Sequence, residues 1–102
     1  MTDAEFLQEV KRNVQQIDPL AEVWLFGSRA RGDARADSDW DFLVLTSLDL
    51  GSGNRWVFTD HLTDLSLQTG QVISSIVYPK KEQPRLSVTD LYRNVMNEGL
   101  RL

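Results

Sequence analysis

Two short runs of this chain hold residue types that could do chemistry together. The first is Gly27-Ser28, at the end of the β-prone run Ala21–Phe26 (AEVWLF). A helix that starts there presents unpaired backbone N–H groups and a partial positive charge, which can hold phosphate oxygens. Gly27 has no Cβ, so a ligand can come close to the backbone. The Ser28 hydroxyl can cap the helix or donate to a phosphate. Arg29 and Arg31 follow at once and could add charge-assisted contacts. The second run is Asp39-Trp40-Asp41. Side chains two apart on an extended strand share a face, with Cα atoms roughly 6.5–7 Å apart. Two carboxylates leaning together from that spacing can share a hard divalent ion such as Mg²⁺. Asp41 lies inside the apolar run Trp40–Leu45 (WDFLVL), where a carboxylate needs a partner.

Each run also has a plainer reading when taken alone. Gly-Ser fits an ordinary strand-to-helix turn. A lone D-x-D fits solvated turn residues at the start of a strand, and Arg29 and Arg31 fit solvated helix charges. The local charge density is high: Arg29, Arg31 and Arg35 share the run 29–41 with Asp33, Asp37, Asp39 and Asp41.

The elements that must position these residues follow from patterning. Thr2 with Glu5 three residues later is a capping box. Phe6, Leu7, Val10, Val14 and Ile17 recur at helical spacing, so residues 3–16 read as an amphipathic helix that Pro19 ends. Ala21–Phe26 reads as a strand. A short helix capped by Ser28 runs to Ala30 or Arg31, with Gly32 closing it. Trp40–Leu45 is a second strand, with Asp39, Asp41, Leu43 and Leu45 on one face and Trp40, Phe42 and Val44 on the other. Residues 46–54 read as a loop. Arg55–Gln68 reads as a helix with Trp56, Phe58, Leu62 and Leu65 inward and Gly70 past its end. Val72–Tyr78 is a third strand, residues 79–85 an exposed connection, and a last helix capped by Ser87 or Thr89 carries Leu91, Tyr92, Val95 and Met96 on one side, with Gly99 as its C-cap. The order αβαβαβα implies an α/β (α+β) fold, a small mixed sheet covered by helices. The short connection between the first two strands allows them to be antiparallel. Trp24, Trp40 and Trp56 read as core, His61 as a surface or packing residue, and Lys80-Lys81 as a solvated loop.

At 102 residues, 41% hydrophobic and 25% charged, residues 1–102 read as one globular domain. The chain has no cysteine, hence no thiolate cluster, disulfide or cysteine nucleophile. No apolar run approaches the roughly 20 residues of a membrane span. The N-terminus is acidic where a secretory signal would be basic, which points to the cytoplasm. A formal net charge of −4 speaks against general nucleic-acid binding.

The two runs together are far more specific than either alone. Gly27-Ser28, ten intervening residues, then Asp39-Trp40-Asp41 reproduces a G-S-x10-D-x-D signature. The segment GSRARGDARADSDWDFLVL resembles the nucleotidyltransferase superfamily of DNA polymerase beta. It is most similar to the minimal nucleotidyltransferases (MNT) encoded beside HEPN-domain toxins. The resemblance implies the nucleotidyltransferase fold, a triphosphate held at Gly27 and Ser28, and Mg²⁺, up to two ions, held by Asp39 and Asp41. Arg29 and Arg31 would be phosphate neighbours. It also implies transfer of a nucleoside monophosphate, AMP, from an NTP, ATP, to a hydroxyl on a partner protein. Active members of the family add a third carboxylate from the neighbouring strand. Here that strand reads QVISSIVY, with Ser74 or Ser75 where the acid is expected, and Asp60 and Asp64 lie on the preceding helix.

Two functions follow. In the first the chain is an antitoxin enzyme that modifies a HEPN toxin. In the second it is a module of the same fold that neutralises a partner by contact. The second strand is apolar on both faces, and four helices are few to cover both. Apolar surface is therefore expected to be left for a HEPN toxin or a second copy.

Overall fold

Residues 1–102 are described in a computed structural model, Ser52 by its backbone alone. The elements run α1 (Asp3–Ile17), β1 (Glu22–Phe26), α2 (Ser28–Arg31), β2 (Trp40–Thr46), α3 (Asn54–Thr69), β3 (Ile73–Pro79), α4 (Gln83–Leu86), α5 (Asp90–Glu98) and β4 (Leu100–Arg101). The capping box forms as expected: the Glu5 N–H donates to Thr2 Oγ1 at 3.1 Å, and the Thr2 N–H to Glu5 Oε1 at 2.9 Å. No helix among the described residues is long and apolar enough to cross a membrane.

The sheet order is β3-β2-β1-β4. β1 and β2 are antiparallel, as their short connection allowed, and β3 runs parallel to β2 after the α3 crossover. The sheet is therefore mixed. β2 lies between two partners, and its alternation sorts the core into two layers. Trp40, Phe42 and Val44 join Val23 and Leu25 under α1 and α3, with Phe6, Val10, Val14, Phe58, Leu62 and Leu65. Leu43 and Leu45 turn to the other face, against Leu86, Val95, Leu91, Tyr92 and Met96 of α4 and α5.

That second layer corrects the reason for expecting uncovered apolar surface, although Trp56, Val57, Leu67 and Val72 are exposed elsewhere. β2 is apolar on both faces, yet both are covered, with Leu43 and Leu45 at most 1% exposed. The connection after β3 is not an open loop. It winds into a 3₁₀ turn, Lys80–Glu82, and then α4, so Leu86 reaches the sheet. Lys80 pairs with Glu22 at 3.7 Å rather than standing free in solvent. Residues 46–54 likewise contain a 3₁₀ turn, Leu50–Ser52, capped by the Asp49 side chain.

Two further differences have local causes. Trp56 is 66% exposed rather than inward, because the buried face of α3 is set by Phe58, Leu62 and Leu65 and Trp56 lies opposite them. β4 is too short to show a periodic signal. It exists because Gly99 permits a close crossing: a side-chain carbon there would overlap the Val95 carbonyl and lie 3.1 Å from the Leu25 carbonyl. Without that carbon the chain leaves α5 and pairs Leu100 with Leu25 and Arg101 with Trp24.

The end of α1 is tied to the end of β2 by a buried carboxylate. Asp18 is 3% exposed and accepts from Thr46 Oγ1 at 2.7 Å, from the Ser47 N–H at 2.8 Å and from the Leu20 N–H at 3.0 Å. Burial alone raises its carboxyl, but the hydrogen bonds from Thr46, Ser47 and Leu20 outweigh that and hold it below the ordinary aspartate value. A carboxyl depressed in the folded state stabilises above its unfolded pKa, about 3.9, and loses that contribution as pH falls through the folded value. Asp18→Ala will destabilise the protein by about 2–4 kcal/mol at neutral pH. Urea titrations of the two proteins will show the gap narrowing as pH drops below about 4; a gap independent of pH would contradict this.

Candidate active site

β1 ends on a backbone that only glycine tolerates. Gly27 has φ 75° and ψ −158°, a region closed to residues with a Cβ. Its carbonyl accepts from the Ala30 and Arg31 N–H groups, both at 3.1 Å, and so starts α2. Ser28 is thus the first helical residue and not the cap, because the cap position has gone to Gly27, which makes no side-chain bond. The Ser28 hydroxyl is left free of capping duty. The Ser28 and Arg29 amides have no intrahelical acceptor. Gly32, at φ 82°, ends α2 in the left-handed conformation.

The strand register brings Asp41 to this turn. Asp41 is paired with Phe26, the residue before Gly27. Its carboxylate lies against the Gly27 Cα, so that a side-chain carbon on Gly27 would overlap Oδ2 and lie 3.3 Å from Cγ. Asp39 sits one residue ahead of β2 and is exposed, whereas Asp41 is half-buried. Burial raises the Asp41 carboxyl above its ordinary value, the Asp39 charge raises it further, and Arg31 opposes both. A half-buried carboxylate beside a second negative charge is an arrangement that favours a cation. Gly27 and Asp41 therefore meet at one surface, Asp39 and Arg31 are close enough for their charges to act on Asp41, and Ser28 follows Gly27 in the chain.

The remaining candidates divide. Arg31 faces this surface and is held by Asp33 at 3.2 Å and Glu98 at 3.4 Å. Glu98, at the end of α5, was not picked out as a site residue by sequence reasoning; its only signal is its place just before Gly99. Arg29 turns the other way, toward the carbonyls of Ala36 and Ser38. Asp60 and Asp64 are exposed on α3, which covers the opposite face of the sheet from Asp41, so neither can complete the pair. Ser74, not Ser75, is the β3 residue in register with Asp41, and it is exposed on the same face. Among the described residues no cluster of three acidic, histidine or cysteine side chains is placed to hold a metal. His61 is half-buried on α3, away from the site. A cavity of about 280 Å³ lined by Thr2, Phe6, Trp40 and Gln71 lies on the α1 side of the sheet, and none of the converging residues lines it.

The nucleotidyltransferase domain model matches residues 5–101, nearly the whole chain. The chain belongs to the nucleotidyltransferase domain family. The candidate protein adenylyltransferase MJ0604 of Methanocaldococcus jannaschii is 34% identical over 80 residues, covering 78% of this chain and 75% of that protein. Solved structures share the fold at lower identity. A chain of a toxin–antitoxin complex with AMP-PNP is 20% identical, with a TM-score of 0.65 over 92% of this chain and 69% of that one. A chain of the complex of tri-AMPylated Shewanella oneidensis HEPN toxin with MNT antitoxin gives 16%, 0.63, 98% and 71%. A candidate nucleotidyltransferase of Sulfolobus solfataricus gives 24%, 0.62, 95% and 76%. This chain is thus a nucleotidyltransferase of the expected mixed α/β fold.

The two positive-φ glycines that bracket α2 provide a paired test. Gly27→Ala forces both a forbidden backbone and an overlap with Asp41, and will lower nucleotidyl transfer by about 100-fold or more. Gly32→Ala has open space around its new carbon. It will cost roughly 1–2 kcal/mol of stability and leave transfer nearly unchanged. Steady-state kinetics beside thermal unfolding separate the two; equal rates for the two variants would contradict the assigned roles.

Proposed function

We propose that this chain transfers AMP from ATP to a hydroxyl on a partner protein, and that the partner is a HEPN-type toxin which the transfer neutralises. The observation that carries this reading is the Asp41 carboxylate seated against the Gly27-Ser28 turn with Asp39 beside it. The similarity to a candidate protein adenylyltransferase supports a protein acceptor. The fold shared with chains of toxin–antitoxin complexes, one with AMP-PNP and one with an AMPylated toxin, supports ATP and the partner class. A cytoplasmic setting fits a chain without cysteine.

The donor set fits magnesium. Two carboxylates offer hard oxygen ligands, and the missing Cβ of Gly27 leaves Asp41 room at the turn. Asp39 and Asp41 would hold the ion. When bound it would offset the repulsion between the acids and the triphosphate and stabilise the leaving pyrophosphate. The chain's own residues do the rest. The Ser28 hydroxyl and the first amides of α2 bind phosphate oxygens. Arg31, kept in place by Asp33 and Glu98, adds positive charge at the mouth of the site. In the transfer the acceptor oxygen bonds to the α-phosphorus, the bond between the α- and β-phosphoryl groups breaks, pyrophosphate leaves and the acceptor loses its proton. Ser74 stands where a base would lie beside Asp41, so that proton passes to solvent. General-base help is worth about 10²–10⁴-fold, so transfer is slow.

The same serine favours a second reading, in which the fold neutralises its partner by contact alone. ATP labelled on the α-phosphate, Mg²⁺ and the neighbouring gene product separate the two. Label on the partner with wild type, absent with Asp39→Asn/Asp41→Asn or with a chelator, is the expected result. Equal neutralisation by both proteins without label would replace transfer with contact. Ser74→Asp is expected to raise the transfer rate by at least about 10-fold, because it supplies the base; an unchanged or lower rate would show that proton removal is not limiting.

A further inference from the structure

Arg29 follows Ser28 in the chain, yet its guanidinium leaves the phosphate-facing turn. Nε and Nη2 both donate to the Ser38 carbonyl, at 3.3 and 2.9 Å, and Nη2 also donates to the Ala36 carbonyl at 3.1 Å. The guanidinium carbon lies 4.3 Å from the centre of the Trp40 ring. That ring is itself fixed. It is 3% exposed, packs 4.8 Å from Phe6 and donates from Nε1 to Gln71 Oε1 at 3.0 Å.

These contacts lie on both sides of one residue. The Ser38 carbonyl belongs to the peptide that leads into Asp39, and Trp40 is the residue that follows it. Among the described residues the segment between α2 and β2 has no ladder pairing of its own, and Ser38 is otherwise held only by Arg35, through backbone and hydroxyl bonds. The Arg29 fork therefore ties the residue after Ser28 to the peptide before Asp39. It joins the phosphate-facing turn to the exposed member of the carboxylate pair.

We propose that Arg29 is a positioning residue for Asp39 and does not bind the triphosphate. Its planar fork fixes the exposed carboxylate beside Asp41, so that cation binding depends on a side chain that is not a ligand. This rests on the reading of Asp39 and Asp41 as a cation site. A lysine cannot reproduce the role, because a single ammonium offers no fork for two carbonyls and no plane to lie over Trp40. A phosphate contact, in contrast, accepts lysine as a point charge.

Mn²⁺ binding to the full chain, followed by electron paramagnetic resonance without nucleotide, tests this directly. Wild type should bind Mn²⁺, and Asp39→Asn should lose it. Arg29→Ala and Arg29→Lys should both weaken it by at least roughly 10-fold, the range seen when a group that orients a metal ligand is removed. Should Arg29→Ala fail to fold, Arg29→Lys, which keeps the charge, carries the test alone. Wild-type Mn²⁺ affinity in Arg29→Lys would overturn the proposal. So would a loss in Arg29→Ala, relative to wild type, confined to the KM for ATP. Absence of Mn²⁺ binding in wild type, or binding untouched in Asp39→Asn, would overturn the cation-site reading and this proposal with it. The Asp39→Asn arm separates that outcome from failure of Arg29 alone.

Discussion

The site depends on a carboxylate occupying the space where a Cβ would be. Gly27 takes a backbone conformation that other residues avoid, and the Asp41 side chain lies in the volume that conformation leaves open. Neither feature is chosen freely. The antiparallel register of β1 and β2 pairs Phe26 with Asp41, so the acid must arrive at the turn that follows Phe26. That register is in turn locked by alternation, because a slip by one residue would send Asp41 into the α1–α3 core and Phe42 outward.

The electrostatics follow from this placement. Burial and the nearby Asp39 both make ionisation of Asp41 harder, and Arg31 only partly compensates. Arg31 is itself shared with Asp33 and Glu98. The local excess of acid is a reason for the surface to attract a cation and, through it, an anionic ligand that the acids alone would repel. Across the sheet, the Asp18 carboxylate meets the opposite condition. It is buried with hydrogen-bond donors around it, so it is stabilised as an anion and serves the fold. One aspartate within β2 and another bonded to the end of it thus have different tasks, set by what surrounds them.

Much of this was legible in the residue pattern. The capping box at Thr2 and Glu5, the glycine ends of α2 and α3 and the two-faced alternation of β2 are local rules, and the structure follows them. The Gly27-Ser28 and Asp39/Asp41 pair was legible as a spacing, and the register turns it into proximity. What escaped was non-local. The exposure of Trp56 depends on which face of a helix with apolar residues on several sides wins the core. β4 depends on a close crossing at Gly99 that no periodicity marks. The cover on the second face of β2 depends on a connection with two prolines folding into α4. Arg29 and Arg31 look alike in sequence, separated by one alanine, and only the path of the Asp33–Ser38 segment decides that one turns to carbonyls and the other to acids.

The most direct measurement is an amide shift map of the isotope-labelled protein titrated with Mg²⁺ and AMP-PNP. A ligand seated on the glycine turn and the acid pair will move the resonances of Gly27, Ser28, Asp39 and Asp41 first and furthest. Shifts confined to Thr2, Phe6, Trp40 and Gln71, around the cavity on the far face of the sheet, would contradict the account.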